Sequence, residues 1–152
     1  LKFSPYIKEA VAIGHERDYI VAMICIDFPI VGKWAENHRL AYTTYTDLAS
    51  QDMIYDMIEQ EVIKVNKSLP ESARIEKFIL LYKELDADDD ELTRTRKVRR
   101  RFVDQKYSDI IEGMYEGKKV IPIETTIKYQ DGTVKTLKIK LKVKEFSGGG
   151  GK

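Results

Sequence analysis

A chain of 152 residues is the size of one domain and can bury about two-thirds of its unfolded surface. With 43% hydrophobic and 34% charged residues it has a globular composition, which excludes a disordered segment, and no apolar run approaches the roughly 20 residues of a membrane span. Lys+Arg number 26 against 25 Asp+Glu, so a net charge of +1 argues against binding nucleic acid by overall charge, and the lone Cys25 excludes an intramolecular disulfide.

Ser4-Pro5 reads as a turn or helix start. Residues 9–13 are β-prone, and residues 14–18 form a polar loop opened by Gly14. Residues 19–28 are nearly all apolar and predict a buried central strand, paired with the first run and ended by Pro29. Residues 32–46 have a mixed pattern and predict irregular structure with one helical turn. Ser50 then stands as an N-cap with Asp52 in the first turn. Ile54, Ile58, Val62, Val65 and Leu69 mark one face of an amphipathic helix, stopped by Leu69-Pro70. Residues 75–82 predict a third strand.

Residues 86–91 carry five carboxylates but lack the spacing and glycine of a calcium loop, so a solvated loop is predicted. It abuts residues 94–101, which carry six basic side chains. Phe102, Val103, Tyr107, Ile110, Ile111 and Met114 keep helical spacing, so one helix is predicted from about Lys97 to Tyr115, with Gly117 as its stop. The remaining residues alternate and predict a β-hairpin. A two-residue loop at Asp131-Gly132 would set Ile123 against Lys140 and mix the faces. A three-residue loop, 130–132, sets Ile123 against Ile139 and Ile121 against Leu141, with Gly132 left-handed. Lys138, Lys140, Lys142 and Lys144 suit an edge kept soluble by charge, and contact of that face with membrane lipid or CoA stays open. The fold class is α+β: a small three-stranded sheet with packed helices, plus a C-terminal β-hairpin extension.

No stretch of the chain looks like a complete active site. There is no phosphate-cradling glycine loop. His15 and His38 lie far apart with no neighbouring Cys ligand and are expected at the surface. Cys25 is expected as a buried, inert thiol, and Trp34, without aromatic partners at helical spacing, as a packing residue. The basic run calls for more, because cations at a helix N-terminus oppose the macrodipole. Three readings stay open on the residues: a solvated face screened by the acidic run, a nucleic-acid patch without the expected aromatics, or a site for an anionic small ligand such as a nucleotide, phosphate or carboxylate.

Leu92-Thr93-Arg94-Thr95-Arg96-Lys97-Val98-Arg99-Arg100 resembles the lysine motif of the AMP-forming acyl-CoA synthetases, in the form found in bacterial long-chain fatty-acid ligases, roughly Leu-Thr-Pro-Thr-x-Lys-x-x-Arg. Phe3-Ser4-Pro5-Tyr6-Ile7-Lys8-Glu9-Ala10-Val11, Ile13-Gly14 and Tyr19-Ile20-Val21-Ala22 resemble the start of that family's small C-terminal domain, and Val65-Asn66, Leu69-Pro70 and residues 75–81 follow in order. Arg94 stands where the subfamily has proline, and Arg96 where many relatives have glycine. The resemblance implies a mobile C-terminal domain over residues 1–115, a hairpin extension over 116–146 and a Gly-rich tail over 147–152. Leu1, standing where a whole protein would have methionine, is expected to mark a piece of something longer.

The resemblance implies a long-chain fatty-acid–CoA ligase whose N-terminal adenylation domain lies outside this chain. In one pose of the mobile domain, fatty acid and ATP give acyl-adenylate and pyrophosphate; in the other, CoA attacks the adenylate. By motif position the adenylation lysine is Lys97, and Arg96, Arg99 and Arg100 would meet phosphates of the nucleotide or CoA. ATP, CoA and Mg2+ are implied for the intact enzyme, with none bound by this chain alone. No nucleic-acid partner is implied, and the location is cytoplasmic with at most peripheral membrane contact. The alternative is a free-standing basic module binding nucleic acid or another polyanion, with affinity falling steeply as salt rises.

Overall fold

The structure, a computed structural model, describes residues 4–14, 19–85, 91–95, 97–128 and 132–145. Its elements run β1 (Ile7–Ile13), β2 (Ile20–Ile26), α1 (Phe28–Asn37), α2 (Tyr45–Ser50), α3 (Asp52–Lys67), β3 (Ile75–Leu80), α4 (Arg100–Lys106), α5 (Ser108–Tyr115), β4 (Val120–Lys128), β5 (Val134–Lys142) and β6 (Lys144–Glu145). The fold is α+β. β1 pairs antiparallel with β2, β2 parallel with β3, and β3 antiparallel with β6, so the sheet has four strands where three were predicted. The fourth is two residues long and carries no periodic signal. It forms because the chain leaving the hairpin continues along β3, setting Lys144 opposite Phe78 and Glu145 opposite Lys77.

The apolar run of β2 has a simple cause, because both its faces are covered. Ala22, Ile24 and Ile26 face α1–α3 with Phe78, Leu80, Ile54 and Ile58. Val21, Met23 and Cys25 face the opposite layer with Ile79, Val103, Ile110 and Met114. Among the described residues no helix is long and apolar enough to cross a membrane.

Three sequence expectations in the first half are corrected. Residues 28–37 form a full helix, where a strand end at 28, a stop at Pro29 and irregular structure from 32 were expected. Asp27 caps it by accepting from the Ile30 N–H at 3.1 Å, and Pro29 sits in its first turn, where no intrahelical N–H is lost. Gly32 broke the apolar pattern because Tyr42 lies against it; a Cβ there would stand 2.6 Å from the Tyr42 hydroxyl. Trp34 does have a ring partner at helical spacing, His38 stacked at 3.9 Å. Ser50 is not an N-cap. It ends α2, donating to the Asp47 carbonyl at 2.7 Å, and Gln51 caps α3 without a side-chain bond. The predicted buried face holds at Ile54, Ile58 and Val62.

At the other end, Gly117 (φ +84°) stops α5. The Gly117 N–H donates to the Met114 carbonyl at 3.3 Å and the Lys118 N–H to the Gly113 carbonyl at 3.1 Å, a Schellman arrangement. The hairpin register sets Ile123 opposite Ile139 and Ile121 opposite Leu141, as the three-residue loop requires, with Gly132 at φ +90°. Gln130 and Asp131 of that turn lie outside the described residues. Ile121 and Leu141 are buried under the α4–α5 layer. Lys142 pairs with Asp52, and Lys144 with Asp56 at 3.2 Å, so the hairpin's exit strand is tied to α3 on the other face of the sheet.

Candidate active site

The lysine motif is a small hairpin of its own. Leu92 and Val98 form an isolated antiparallel bridge, and the Arg99 N–H donates to the Glu91 carbonyl at 2.9 Å. Inside it the Thr93 N–H donates to the Lys97 carbonyl at 2.8 Å, and the Lys97 N–H donates to the Thr93 hydroxyl at 3.0 Å. A bonded turn therefore fixes the Lys97 backbone, while its side chain stands exposed. Among the described residues no carboxylate is paired with its ammonium.

This corrects the predicted helix. Lys97 precedes it, Arg99 is the N-cap of α4, and the helical stretch is two helices meeting at Tyr107 (φ −105°, ψ 22°). The opposition between basic side chains and the helix dipole therefore belongs to Arg100 and Arg101, since no acid stands in the first turn of α4. Arg100 donates to the Ala12 carbonyl of β1, and the Arg99 guanidinium lies over the Phe102 ring at 5.4 Å. Arg96 and His15 lie outside the described residues. His38 is exposed.

The base of this hairpin holds a feature that was not legible in the sequence. Residues 86–90 lie outside the described residues, but Glu91, expected in a solvated loop, is completely buried. Its carboxylate meets the Lys83 ammonium at 2.5 Å and the Lys106 ammonium at 2.9 Å, and accepts a hydrogen bond from the Tyr107 hydroxyl. Burial, followed by that bond to Glu91 and by its charge, pushes the Tyr107 phenol well above its ordinary range, so it stays protonated and donates to the carboxylate. Nothing local signals this cluster, because Lys83 and Tyr107 come from distant turns of the chain. The one clue is the alternation of Leu92 and Val98 about a polar TRTRK segment, which favours a hairpin over a loop. Cys25 is buried as expected, its thiol pushed up to about 12 by desolvation, with its Sγ 3.6 Å from the Lys83 carbonyl. Among the described residues no group of three or more His, Cys, Asp or Glu could hold a metal ion.

The model of the AMP-binding enzyme C-terminal domain matches residues 1–119 of this sequence. The chain belongs to that family. It is 32% identical over 116 residues to the long-chain-fatty-acid–CoA ligase FadD15 of Mycobacterium tuberculosis, covering 76% of this chain and 19% of that protein. It is 30% identical over 111 residues to the putative fatty-acid–CoA ligase fadD11 of the same organism, covering 73% of this chain and 19% of that one. The chain thus spans about a fifth of the length of these relatives. A solved structure of the A-PCP didomain of carboxylic acid reductase from Segniliparus rugosus, in complex with AMP, shares the fold. Its TM-score is 0.56 at 15% identity, over 76% of this chain and 15% of that one. As an AMP-binding enzyme C-terminal domain, this chain carries its lysine hairpin inside the matched region and its long β4–β5 hairpin beyond it.

Proposed function

We propose that this chain is the mobile C-terminal domain of a long-chain fatty-acid–CoA ligase and that Lys97 assists adenylation. The observation that carries the reading is the Lys97 hairpin. It presents an exposed cation on a backbone closed by two hydrogen bonds, inside a chain of the AMP-binding family. In the proposed reaction the fatty-acid carboxylate attacks the α-phosphorus of ATP and displaces pyrophosphate. Negative charge builds on the oxygens at the reacting centre, and a compact ammonium on a flexible stem can be brought to them and withdrawn. The thiol of CoA then attacks the acyl carbonyl and releases AMP. Mg2+ enters with the triphosphate as part of the substrate. Arg99, exposed with its guanidinium over the Phe102 ring, is proposed to meet a phosphate; Arg100 already holds Ala12.

In the full-length ligase, Lys97→Ala should slow acyl-adenylate formation about a hundredfold or more while sparing thioester formation from supplied acyl-adenylate. Pyrophosphate release and acyl-CoA formation, measured separately, check this. Normal pyrophosphate release in the variant would sink the role of Lys97. The chain alone should catalyse neither half-reaction.

A further inference from the structure

We propose that Glu91 is the positioning residue of the Lys97 hairpin, tying its base to the end of β3 and to the α4–α5 junction so that Lys97 moves only with the domain. This rests on the adenylation role proposed for Lys97.

Two sets of contacts carry it. The backbone of Glu91 closes the hairpin, its carbonyl accepting from Arg99 next to the Leu92–Val98 bridge. Its side chain is completely buried, so its charge must be matched or it would cost several kcal/mol. It is matched by three donors from the two flanking elements: Lys83, just past the end of β3, and Lys106 and Tyr107, where α4 meets α5. One residue thus belongs to the hairpin through its backbone and to the surrounding framework through its side chain. Stability alone does not call for this arrangement, since buried ion clusters can often be replaced by apolar residues at no loss. Position does call for it: Lys97 is exposed and its turn is short, so the hairpin's aim depends on what holds its base. A displacement of about 1 Å at a reacting centre can cost about a hundredfold in rate.

The test has two arms. In this chain, Glu91→Gln should speed hydrogen exchange at the Thr93, Lys97 and Arg99 amides at least about tenfold and leave the amides of β2 and α3 unchanged. Equal acceleration everywhere, or none in the hairpin, overturns the proposal. In the full-length ligase, Glu91→Gln should slow adenylation about 10- to 100-fold, keep KM for ATP and fatty acid within about twofold, and leave thioester formation intact. Added to Lys97→Ala it should cost less than about twofold more, because it acts through Lys97. The same loss in both backgrounds overturns it. Where Glu91→Gln does not fold, Tyr107→Phe removes one donor, keeps the ring packed, and carries the same measurements. Normal adenylation in Lys97→Ala sinks the adenylation role of Lys97, and with it the kinetic arm of this proposal, and leaves the exchange result standing. Normal adenylation in Glu91→Gln, beside a crippled Lys97→Ala, sinks only the role of Glu91.

Discussion

Thr93 holds both ends of one short turn. Its N–H reaches the Lys97 carbonyl, and its hydroxyl takes the Lys97 N–H while lying 3.2 Å from the Thr95 hydroxyl. Arg94 lies inside the turn and has no ring to fix its φ, so hydrogen bonds close it. Thr93→Val keeps the branched shape and removes the oxygen. It should cost about 1 kcal/mol in urea unfolding and slow adenylation, and Thr93→Ser should restore both. A Val variant that matches the parent in both measurements would show that the hydroxyl does not hold the turn. Cys25 gives a second prediction at this scale. With its thiol pushed up to about 12 by burial, it should resist a disulfide reagent at pH 8 in the folded chain and react fully in denaturant. Labelling of the native chain at the rate of a free thiol would contradict that.

Helix ends show how far local chemistry reaches. Gly117 is at φ +84° with nothing near a Cβ, so Gly117→Ala meets only backbone strain and should cost about 1 kcal/mol in denaturant unfolding. An unchanged midpoint would mean the turn re-forms another way. This stop was legible in the sequence because the signal is one residue in one conformation. The strands β1–β3 and the β4–β5 register were legible for a similar reason: period and face determine them, and a one-residue slip would expose Ile121 and Ile123. Helix α1 was hidden because Pro29, read as a strand end, is tolerated in a first turn, and because Gly32 faces Tyr42 and so adds nothing to an apolar period. The break at Tyr107 was hidden because an apolar helical period treats tyrosine as core and says nothing of a hydroxyl reaching a carboxylate 16 residues away. Lys97 is a candidate by its motif, and the structure adds its exposure and its bonded turn. Glu91, Lys83 and Lys106 were not legible in the sequence, because their meeting is a fact of tertiary packing.

For the whole molecule, buried acids decide the response to alkali. Burial pushes Cys25 up from 9.0 to about 12 and Tyr55 up from 10.0 to about 12. Both are neutral in the fold, so the unfolded chain gives up these protons first. Their contribution is whole below about pH 9 and is lost as pH rises toward 12, with a slope of up to about 1.4 kcal/mol per pH unit for each group. Urea midpoints taken between pH 8 and pH 11 should fall steadily, and a flat series would refute this. The last strand bears on a different property. β6 lies along β3, with Glu145 3.2 Å from Lys77, and so covers part of an edge whose Phe78, Ile79 and Leu80 are almost fully buried. Ending the chain after residue 119, where the family match ends, would remove that cover together with Ile121 and Leu141. An open apolar strand edge is a template for pairing with another chain. The shortened chain should therefore self-associate more than the longer one, seen as light scattering that rises more steeply with concentration.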